Sequence, residues 1–203
     1  MAPIDYRKEL KNLYLPSTKE VVQVEVPEMN YLMVDGKGDP NTSPEYSAAL
    51  QTLFSVAYGI KFAVKKGPLG IDYSVLPPEG LWWAEDMNLF TTDKNLWLWT
   101  MMIMQPPCVT AELVERVVAE TKKKKDLPLL LRLRFEAYAE GLSAQIMHIG
   151  PFSEEGPNVA KVHEFIAARG ELRGKHHEIY LSDARKADPA KWKTVIRQPF
   201  MLR

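Results

Sequence analysis

Glu178 and Tyr180 carry reactive side chains two residues apart in the stretch His176–Asp183. Ile179 and Leu181 alternate with them, and a period of two is typical of a half-buried β-strand. Side chains two positions apart project from the same face of a strand. We therefore expect Ile179 and Leu181 to pack against helices. Glu178 and Tyr180 would then line the opposite face, which is either open to solvent or a pocket.

A carboxyl group such as that of Glu178 becomes more basic when aromatic rings exclude water from it, because desolvation raises its pKa. The ionised form attracts hydrophobic cations, and the faces of aromatic rings add to that attraction. The protonated form can donate a hydrogen bond to a carbonyl, or cycle as a general acid and base. Tyr180 offers a hydroxyl donor on the same face. We assign Glu178 and Tyr180 as the candidate catalytic residues.

Large aromatic side chains are plentiful in this chain, which has five Trp and eight Tyr. We expect some of them to form flat walls around Glu178 and to bind a ligand there. The candidate wall residues are Tyr73, Trp82, Trp83, Trp97, Trp99 and Phe135. Trp97 and Trp99 lie two positions apart in a predicted strand, so both should face the ligand or both should face the core.

Structural roles remain open for all of these residues. Glu178 could be an exposed sheet residue paired with a Lys or Arg, and Tyr180 could be a core tyrosine. Each Trp taken singly is more typical of a core than of a site. Glu154 and Glu155 come just before a predicted helix, where acids suit the helix dipole, although either could lie at the rim of a groove.

The histidines do not predict a metal site. The chain has four of them, His148, His163, His176 and His177. Adjacent residues of a strand point to opposite faces, so His176 and His177 cannot chelate together, and His163 has no histidine four positions away on its helix. The single cysteine, Cys108, has no evident basic neighbour and is expected to be inert. We predict no metal and no cofactor.

The predicted elements form an internal repeat of the order strand–helix–strand–strand. We expect strands at 20–26, 30–36, 71–76, 96–105, 129–136, 141–149, 176–183 and 192–197, with helices at 44–66, after Thr110 and at 157–169. The repeats cover about residues 20–105 and 130–203 of a single domain, and residues 1–19 form an arm. Two such units predict an α+β fold with antiparallel sheets around a central ligand groove and helices on the other face.

Composition and charge exclude several classes of protein. The 203 residues have a formal net charge of zero, so neither nucleic acid nor an anionic membrane is an expected partner. No apolar run approaches the ~20 residues that span a bilayer. A single cysteine cannot form an intrachain disulfide, and the first residues lack the apolar core of a signal peptide. We expect a cytoplasmic protein.

Four segments of the C-terminal half resemble the GyrI-like small-molecule-binding family. They are residues 145–155 (QIMHIGPFSEE), 163–166 (HEFI), 174–183 (GKHHEIYLSD) and 193–199 (KTVIRQP). The similarity is strongest over residues 130–200, and no DNA-reading module precedes it. The chain is therefore similar to the free-standing members of the family, and not to those fused to transcription activators.

The resemblance implies a duplicated strand–helix–strand–strand fold with a central groove, and an acid at the position of Glu178 within that groove. In the regulator members this acid meets bulky aromatic drugs, which are often cationic. Some free-standing members are implicated in hydrolysing cyclopropane-bearing, DNA-alkylating toxins of the yatakemycin type. In that reaction Tyr180 would polarise the carbonyl of the toxin and Glu178 would position the water.

Three functions follow as hypotheses. The first is a hydrolase that opens the cyclopropane ring of flat, apolar toxins and so protects the cell. The second is a module that binds such ligands without reacting, as a sequestering protein or a sensor. The third is a protein inhibitor that acts through its surface on an unknown protein partner.

Overall fold

The computed structural model describes residues 3–87, 90 and 92–203, and over these residues it has an α+β fold, as predicted. The helices are α1 (Tyr6–Glu9), α2 (Lys11–Tyr14), α3 (Pro44–Lys66), α4 (Ala111–Lys124) and α5 (Gly156–Ala167). The strands are β1 (Val22–Lys37), β2 (Glu79–Trp83), β3 (Leu98–Gln105), β4 (Arg134–Ile149), β5 (Gly170–Leu172), β6 (His176–Tyr180) and β7 (Lys193–Leu202). The order strand–helix–strand–strand occurs twice, as β1-α3-β2-β3 and as β4-α5-β6-β7, with the short β5 added in the second repeat.

Contacts within the chain define two compact units. Unit 1 comprises Met1–Tyr6, Met29–Pro78 and Trp83–Tyr138, and unit 2 comprises Arg7–Glu28, Glu79–Trp82 and Ala139–Arg203. Strands β1 and β4 are long enough to contribute residues to both units. The candidate residues Glu178 and Tyr180 belong to unit 2.

Unit 1 is built on an antiparallel pair of strands and two helices. β1 pairs with β3 from Asn30 opposite Gln105 to Lys37 opposite Leu98. Helix α3 begins after Ser43, with a proline at its first position, and ends at Gly67, as its sequence predicts. Helix α4 begins at Thr110, whose hydroxyl accepts a hydrogen bond from a backbone N–H of the first turn.

Helix α3 is long and apolar enough to cross a membrane by length and composition, which we did not expect from the sequence. Core helices of globular proteins meet the same criteria. In unit 1, α3 buries one face that includes Leu53, Val56 and Ile60, and its last turn carries Lys65 and Lys66. Packing inside unit 1 is thus a sufficient reason for the apolar composition of α3.

Unit 2 has β7 as its central strand. β7 pairs antiparallel with β4 on one side and with β6 on the other, and β6 pairs with β2. Helix α5 covers one face of this sheet through Val162 and Ile166, which pack on Ile146 and Ile196. Strand β5 pairs with the last residues of β7, from Phe200 to Leu202.

Three predicted boundaries are wrong. Pro27 does not interrupt β1, because it is exposed and precedes Asn30–Lys37, the residues that pair with β3. Residues 71–76 form no strand, and Tyr73 makes only an isolated bridge with Ile4. Residues 129–149 contain one strand, not two, since Leu130–Arg132 is a short 3₁₀ helix and β4 runs on from Arg134 through Gly141.

A methyl group at Gly170 should be strongly destabilising. A Cβ at this position would overlap the backbone carbonyl of Met201 on β7, and backbone cannot move aside as a side chain can. We expect Gly170→Ala to lower the free energy of unfolding by about 2–3 kcal/mol, the upper range for overpacking. Gly156 has open space around its Cβ position and starts α5, so Gly156→Ala should be neutral or slightly stabilising. Urea unfolding of the two variants measures the difference.

Candidate functional site

Glu178 lies on the face of the unit 2 sheet that helix α5 covers. It is directly opposite Ile196 on β7, and Ile196 packs against α5. Residues opposite each other on paired strands share a face. Our expectation that Ile179 would take the helix-covered face is therefore wrong. His177 and Ile179 project to the other face, where both are fully buried.

The Glu178 carboxylate is held by two neighbours on its own strand. Tyr180 donates its hydroxyl hydrogen to Oε2 of Glu178 at 2.6 Å, and Nε2 of His176 is 3.1 Å from Oε1. The indole N–H of Trp82 on β2 donates to the Tyr180 oxygen at 3.0 Å. The chain Trp82–Tyr180–Glu178–His176 fixes the carboxylate, whose side chain stays 18% exposed. An acid in this position is oriented and still reachable from solvent.

Opposing effects set the pKa of Glu178. Burial alone would raise it, but the hydrogen bond and the charge of His176 and the hydrogen bond from Tyr180 outweigh burial, so the pKa lies below the ordinary value. Glu178 is therefore ionised at neutral pH. An ionised carboxylate can accept a proton or attract a cation.

Glu155 is a second carboxyl group at this site. It lies at the start of α5, is 6% exposed and is close enough to Glu178 for the two groups to affect each other's pKa. Burial, followed by the nearby charge of Glu178, raises the pKa of Glu155 to about 9. The Thr194 hydroxyl of β7 lies close enough to lower this pKa in part, but it forms no well-aligned hydrogen bond. Two neighbouring carboxyl groups are thus pushed to opposite protonation states.

Aromatic rings border the two carboxyl groups. The Phe152 ring meets Tyr180 edge to face at a centroid distance of 5.5 Å and lies 4.7 Å from the ring of Trp192. Phe152 is 41% exposed, so part of this apolar surface is open to solvent. Trp192 is held in place by a hydrogen bond from its indole N–H to the Ala187 carbonyl. Exposed ring faces beside a carboxylate suit a flat apolar ligand, particularly one with positive charge.

The segment that carries Phe152 and Glu155 is fixed by His148 on β4. Nε2 of His148 lies 3.2 Å from the Pro151 carbonyl, and Nδ1 lies 3.1 Å from the side-chain amide of Asn158. The Asn158 amide therefore donates to Nδ1, and Nε2–H donates to the carbonyl. Gly150 allows the sharp turn after β4 because it has a φ of 139°.

Of the six predicted wall residues, one lies in the same unit as Glu178. Trp82 belongs to unit 2 and contacts Tyr180, whereas the other five, Tyr73, Trp83, Trp97, Trp99 and Phe135, belong to unit 1. Within unit 1, Trp99 and Tyr73 are buried core residues. Trp97 precedes β3 and stacks on Phe90, so it does not share a strand face with Trp99 as expected.

The opposite face of β6 carries a buried charged network that the sequence did not predict. His177 bonds to Glu79 and Glu140 at 3.0 Å each, and Glu140 also receives a hydrogen bond from Arg197 at 3.1 Å. Tyr14 donates to Glu79 at 2.8 Å, which ties the second N-terminal helix to the sheet. No group of three His, Cys, Asp or Glu side chains has the geometry to hold a metal ion in residues 3–87, 90 and 92–203.

Sequence reasoning did not assign His176, Phe152 or Trp192 to the site, and it gave Glu155 only as a residue that could lie at the rim of a groove. Glu155 lies in the segment 145–155 that carries the family resemblance, but an acid before a helix has an ordinary explanation in the helix dipole. Its proximity to Glu178 depends on where α5 begins over the sheet. The sequence alone offers no signal for that distance.

Comparison with known proteins agrees with this fold. The sequence matches the GyrI-like small molecule binding domain over residues 19–200. No curated protein matches the chain. A structure of an uncharacterized conserved protein from Listeria innocua has 43% identity and a TM-score of 0.87, covering 98% of this chain and 100% of that one. Two structures described as a hydrolase from Listeria innocua have 41% and 42% identity and TM-scores of 0.84 and 0.85, with the same coverage.

A more distant structure shows the same fold. The C-terminal domain of EcmrR has 13% identity and a TM-score of 0.55, covering 91% of this chain and 98% of that domain. The family match extends over most of the chain and includes every residue of the site around Glu178. This chain belongs to the GyrI-like small molecule binding domain family.

Proposed function

We propose that this protein hydrolyses flat, apolar small molecules, with Glu178 as the base that activates water. The observation that carries the proposal is the ionised Glu178 carboxylate, fixed by Tyr180 and His176 and still partly exposed beside aromatic rings. Membership of a small-molecule-binding family supports a small ligand, and the description of two relatives as hydrolases supports hydrolysis. The protein would act in the cytoplasm.

The substrates that we propose are toxins with a cyclopropane ring conjugated to a dienone, of the yatakemycin or duocarmycin type. Ring opening needs little from a protein. A base must take a proton from water, a donor must protonate the developing phenolate, and flat walls must hold the aromatic body of the toxin. Water forms a C–O bond to the cyclopropane carbon while a ring C–C bond breaks and its electron pair moves to the carbonyl oxygen. Glu178 is the base, and Phe152 and Trp192 supply apolar surface.

Tyr180 orients the base. Its hydroxyl donates to Glu178 and accepts from Trp82, so in the resting site its hydrogen is directed to the carboxylate and not to a ligand. To polarise a substrate carbonyl, the Tyr180 hydroxyl would have to leave Glu178. The structure favours a positioning role for Tyr180 in the resting state.

Loss of the Tyr180 hydroxyl should slow the reaction without abolishing it. Tyr180→Phe removes one donor from Glu178, so the carboxylate becomes less well oriented and its pKa rises toward the ordinary value. We expect a decrease in kcat of about 10- to 100-fold, equal to the loss of one positioning hydrogen bond. Tyr58→Phe is the control, because Tyr58 is an exposed tyrosine of α3. An unchanged kcat for Tyr180→Phe would remove Tyr180 from the mechanism.

Incubation of the purified protein with a duocarmycin- or yatakemycin-type compound tests the function itself. Mass spectrometry should show a product heavier by one water, formed in proportion to protein and time. Protein tryptophan fluorescence, recorded in parallel, reports binding. If tryptophan fluorescence shows that the compound binds but its mass stays unchanged, hydrolysis is contradicted.

That last outcome defines the second candidate function, which is binding without reaction. The resting hydrogen bond from Tyr180 to Glu178 favours it, because an acid already satisfied by its neighbours can serve as a fixed charge for a cationic ligand. A sequestering protein would quench tryptophan fluorescence and release the compound intact. If the compound is not turned over and does not quench tryptophan fluorescence, both candidate functions are contradicted. The search would then turn to a protein partner.

A further inference from the structure

We propose that Glu79 is a positioning residue for the site around Glu178, although it lies on the opposite face of the sheet. Its carboxylate fixes strand β2 on strand β6, and β2 carries the Trp82 indole that donates to Tyr180. The proposal rests on the proposed function, because Glu79 affects catalysis through Trp82 and Tyr180. It gives the buried network on this face a role in the site as well as in stability.

The backbone ladder that joins β2 to β6 is short. Four residues, Glu79–Trp82, pair with β6. Pro77 and Pro78 precede them and have no backbone N–H to lengthen the ladder. A shift of β2 by one residue would exchange the two faces of the strand and turn Trp82 away from Tyr180. A side chain of β2 that fits only one face therefore contributes to its register.

Glu79 is such a side chain. It lies opposite Ile179 and so shares the face on which Ile179 and His177 are fully buried. Both of its carboxylate oxygens accept hydrogen bonds there, Oε1 from the Tyr14 hydroxyl at 2.8 Å and Oε2 from Nε2 of His177 at 3.0 Å. Turning Glu79 to the other face would break both bonds and leave the His177 ring without this partner in a buried place.

His177 connects Glu79 to the part of β6 that carries the site. Burial lowers the pKa of His177, but Glu140 and then Glu79 raise it to about 9, so the ring is charged at neutral pH and donates from both nitrogens. Nδ1 lies 3.0 Å from Glu140 on β4, and Nε2 is the donor to Glu79 on β2. His177 directly precedes Glu178 in the chain. The charged ring therefore holds β2 beside the residue that we propose as the base.

The other face of the same two strands carries the hydrogen-bonded chain Trp82–Tyr180–Glu178. Trp82 is three positions after Glu79, so the two side chains project to opposite faces of β2. The Trp82 indole donates to Tyr180 at 3.0 Å, and Tyr180 donates to Glu178 at 2.6 Å. A hydrogen bond weakens when its donor moves out of line. Displacement of β2 would therefore loosen Tyr180 and, through it, the Glu178 carboxylate.

Glu79→Gln and Glu140→Gln form a matched pair of variants. Each takes one carboxylate charge from His177 and keeps the size of the side chain, but only Glu79 lies on the strand that carries Trp82. We expect Glu79→Gln to decrease kcat by about 5- to 10-fold, equal to the loss of about one hydrogen bond. Glu140→Gln should keep kcat within about twofold of the wild-type value, whichever variant urea unfolding shows to be the less stable.

The NMR signal of the Trp82 indole N–H reports the position of β2 without a substrate. In protein labelled with ¹⁵N-tryptophan, this signal is identified by its absence from Trp82→Phe. Tyr180→Phe removes the acceptor and shows how the signal moves when the hydrogen bond is lost. We expect the signal of Glu79→Gln to move in the same direction, and that of Glu140→Gln to stay at the wild-type position.

An unmoved Trp82 signal in Glu79→Gln, or equal decreases of kcat in Glu79→Gln and Glu140→Gln, would overturn the proposal. If Glu79→Gln does not fold, Tyr14→Phe replaces it, because this variant removes only the hydroxyl that donates to Glu79. Its Trp82 signal should move in the same direction, and an unmoved signal would again overturn the proposal. If the wild-type protein opens no cyclopropane ring, the proposed function fails, and the Trp82 signal still shows whether Glu79 fixes β2.

Discussion

Glu178→Gln is expected to decrease kcat for ring opening by about 10²- to 10⁴-fold, the range for loss of a general base. The amide keeps the size of the carboxylate, and its oxygen can still accept from Tyr180, but it cannot take a proton from water. It also has no negative charge, so a cationic ligand should bind less tightly. Turnover followed by product mass measures the first effect and tryptophan fluorescence titration measures the second.

The control for this prediction is Glu164→Gln. Glu164 lies on the exposed face of α5 in the same unit. Glu164→Gln therefore makes the same replacement of a carboxylate by an amide at a position outside the site around Glu178. Its kcat should equal that of the wild-type protein. If Glu178→Gln retains more than about a tenth of the wild-type kcat, a contribution below about 1.4 kcal/mol, then Glu178 is not the base.

Glu140→Leu is expected to lower the free energy of unfolding by about 3–5 kcal/mol, because it breaks a buried network of charges. Glu140 is 2% exposed and accepts hydrogen bonds from His177 at 3.0 Å and from Arg197 at 3.1 Å. The charge of His177 and then that of Arg197 overcome the effect of burial and lower the pKa of Glu140 to about 2. Without Glu140, the buried Arg197 guanidinium loses the carboxylate that lies 3.1 Å from its Nη1.

Urea unfolding near pH 6 measures this loss. Glu136→Leu is the control, because Glu136 lies on the same strand and is half exposed, and its ion pair with Arg134 should contribute less than about 1 kcal/mol. Equal stability of the two variants would show that the network does not stabilise the fold.

The contribution of this network should depend on pH in a defined direction. The pKa of Glu140 is lowered, so its stabilising effect is complete above about 4.5 and is lost as pH falls toward about 2. Burial opposes charge on His177, but Glu140 and Glu79 raise its pKa to about 9. The stabilising effect of His177 is therefore complete below about 6.5 and is lost as pH rises through about 9. The difference between wild-type protein and Glu140→Leu should be largest between pH 4.5 and 6.5.

Local sequence pattern predicted which residues share a face, but not which face they occupy. The alternation around Glu178 and Tyr180 correctly placed these side chains together, because a period of two follows from strand geometry. The face predicted for Ile179 was wrong, because this apolar residue lies over a polar network and not under α5. That network needs Glu79 and Glu140, which are distant in sequence and both lie outside the predicted strands.

The second carboxyl group was beyond prediction for a similar reason. Glu155 and Glu178 are separated by helix α5 and strand β5, and the path of α5 over the sheet brings them close together. The six aromatic candidates were chosen for ring size, which does not distinguish a wall from a core. Trp99 is fully buried and packs against Gly36, a close approach that only a residue without a side chain permits.

A single turnover in ¹⁸O-labelled water tests the role of Glu178 most directly. If Glu178 acts as a base, the labelled oxygen adds to the cyclopropane carbon, and the product of the first turnover carries the label while the protein does not. If Glu178 instead attacked the ring as a nucleophile, hydrolysis of the resulting ester would leave the label in the Glu178 carboxyl group and an unlabelled product. Mass spectrometry of the product and of the peptide that contains Glu178 distinguishes the two. Our proposal predicts a labelled product, and a labelled peptide would contradict it.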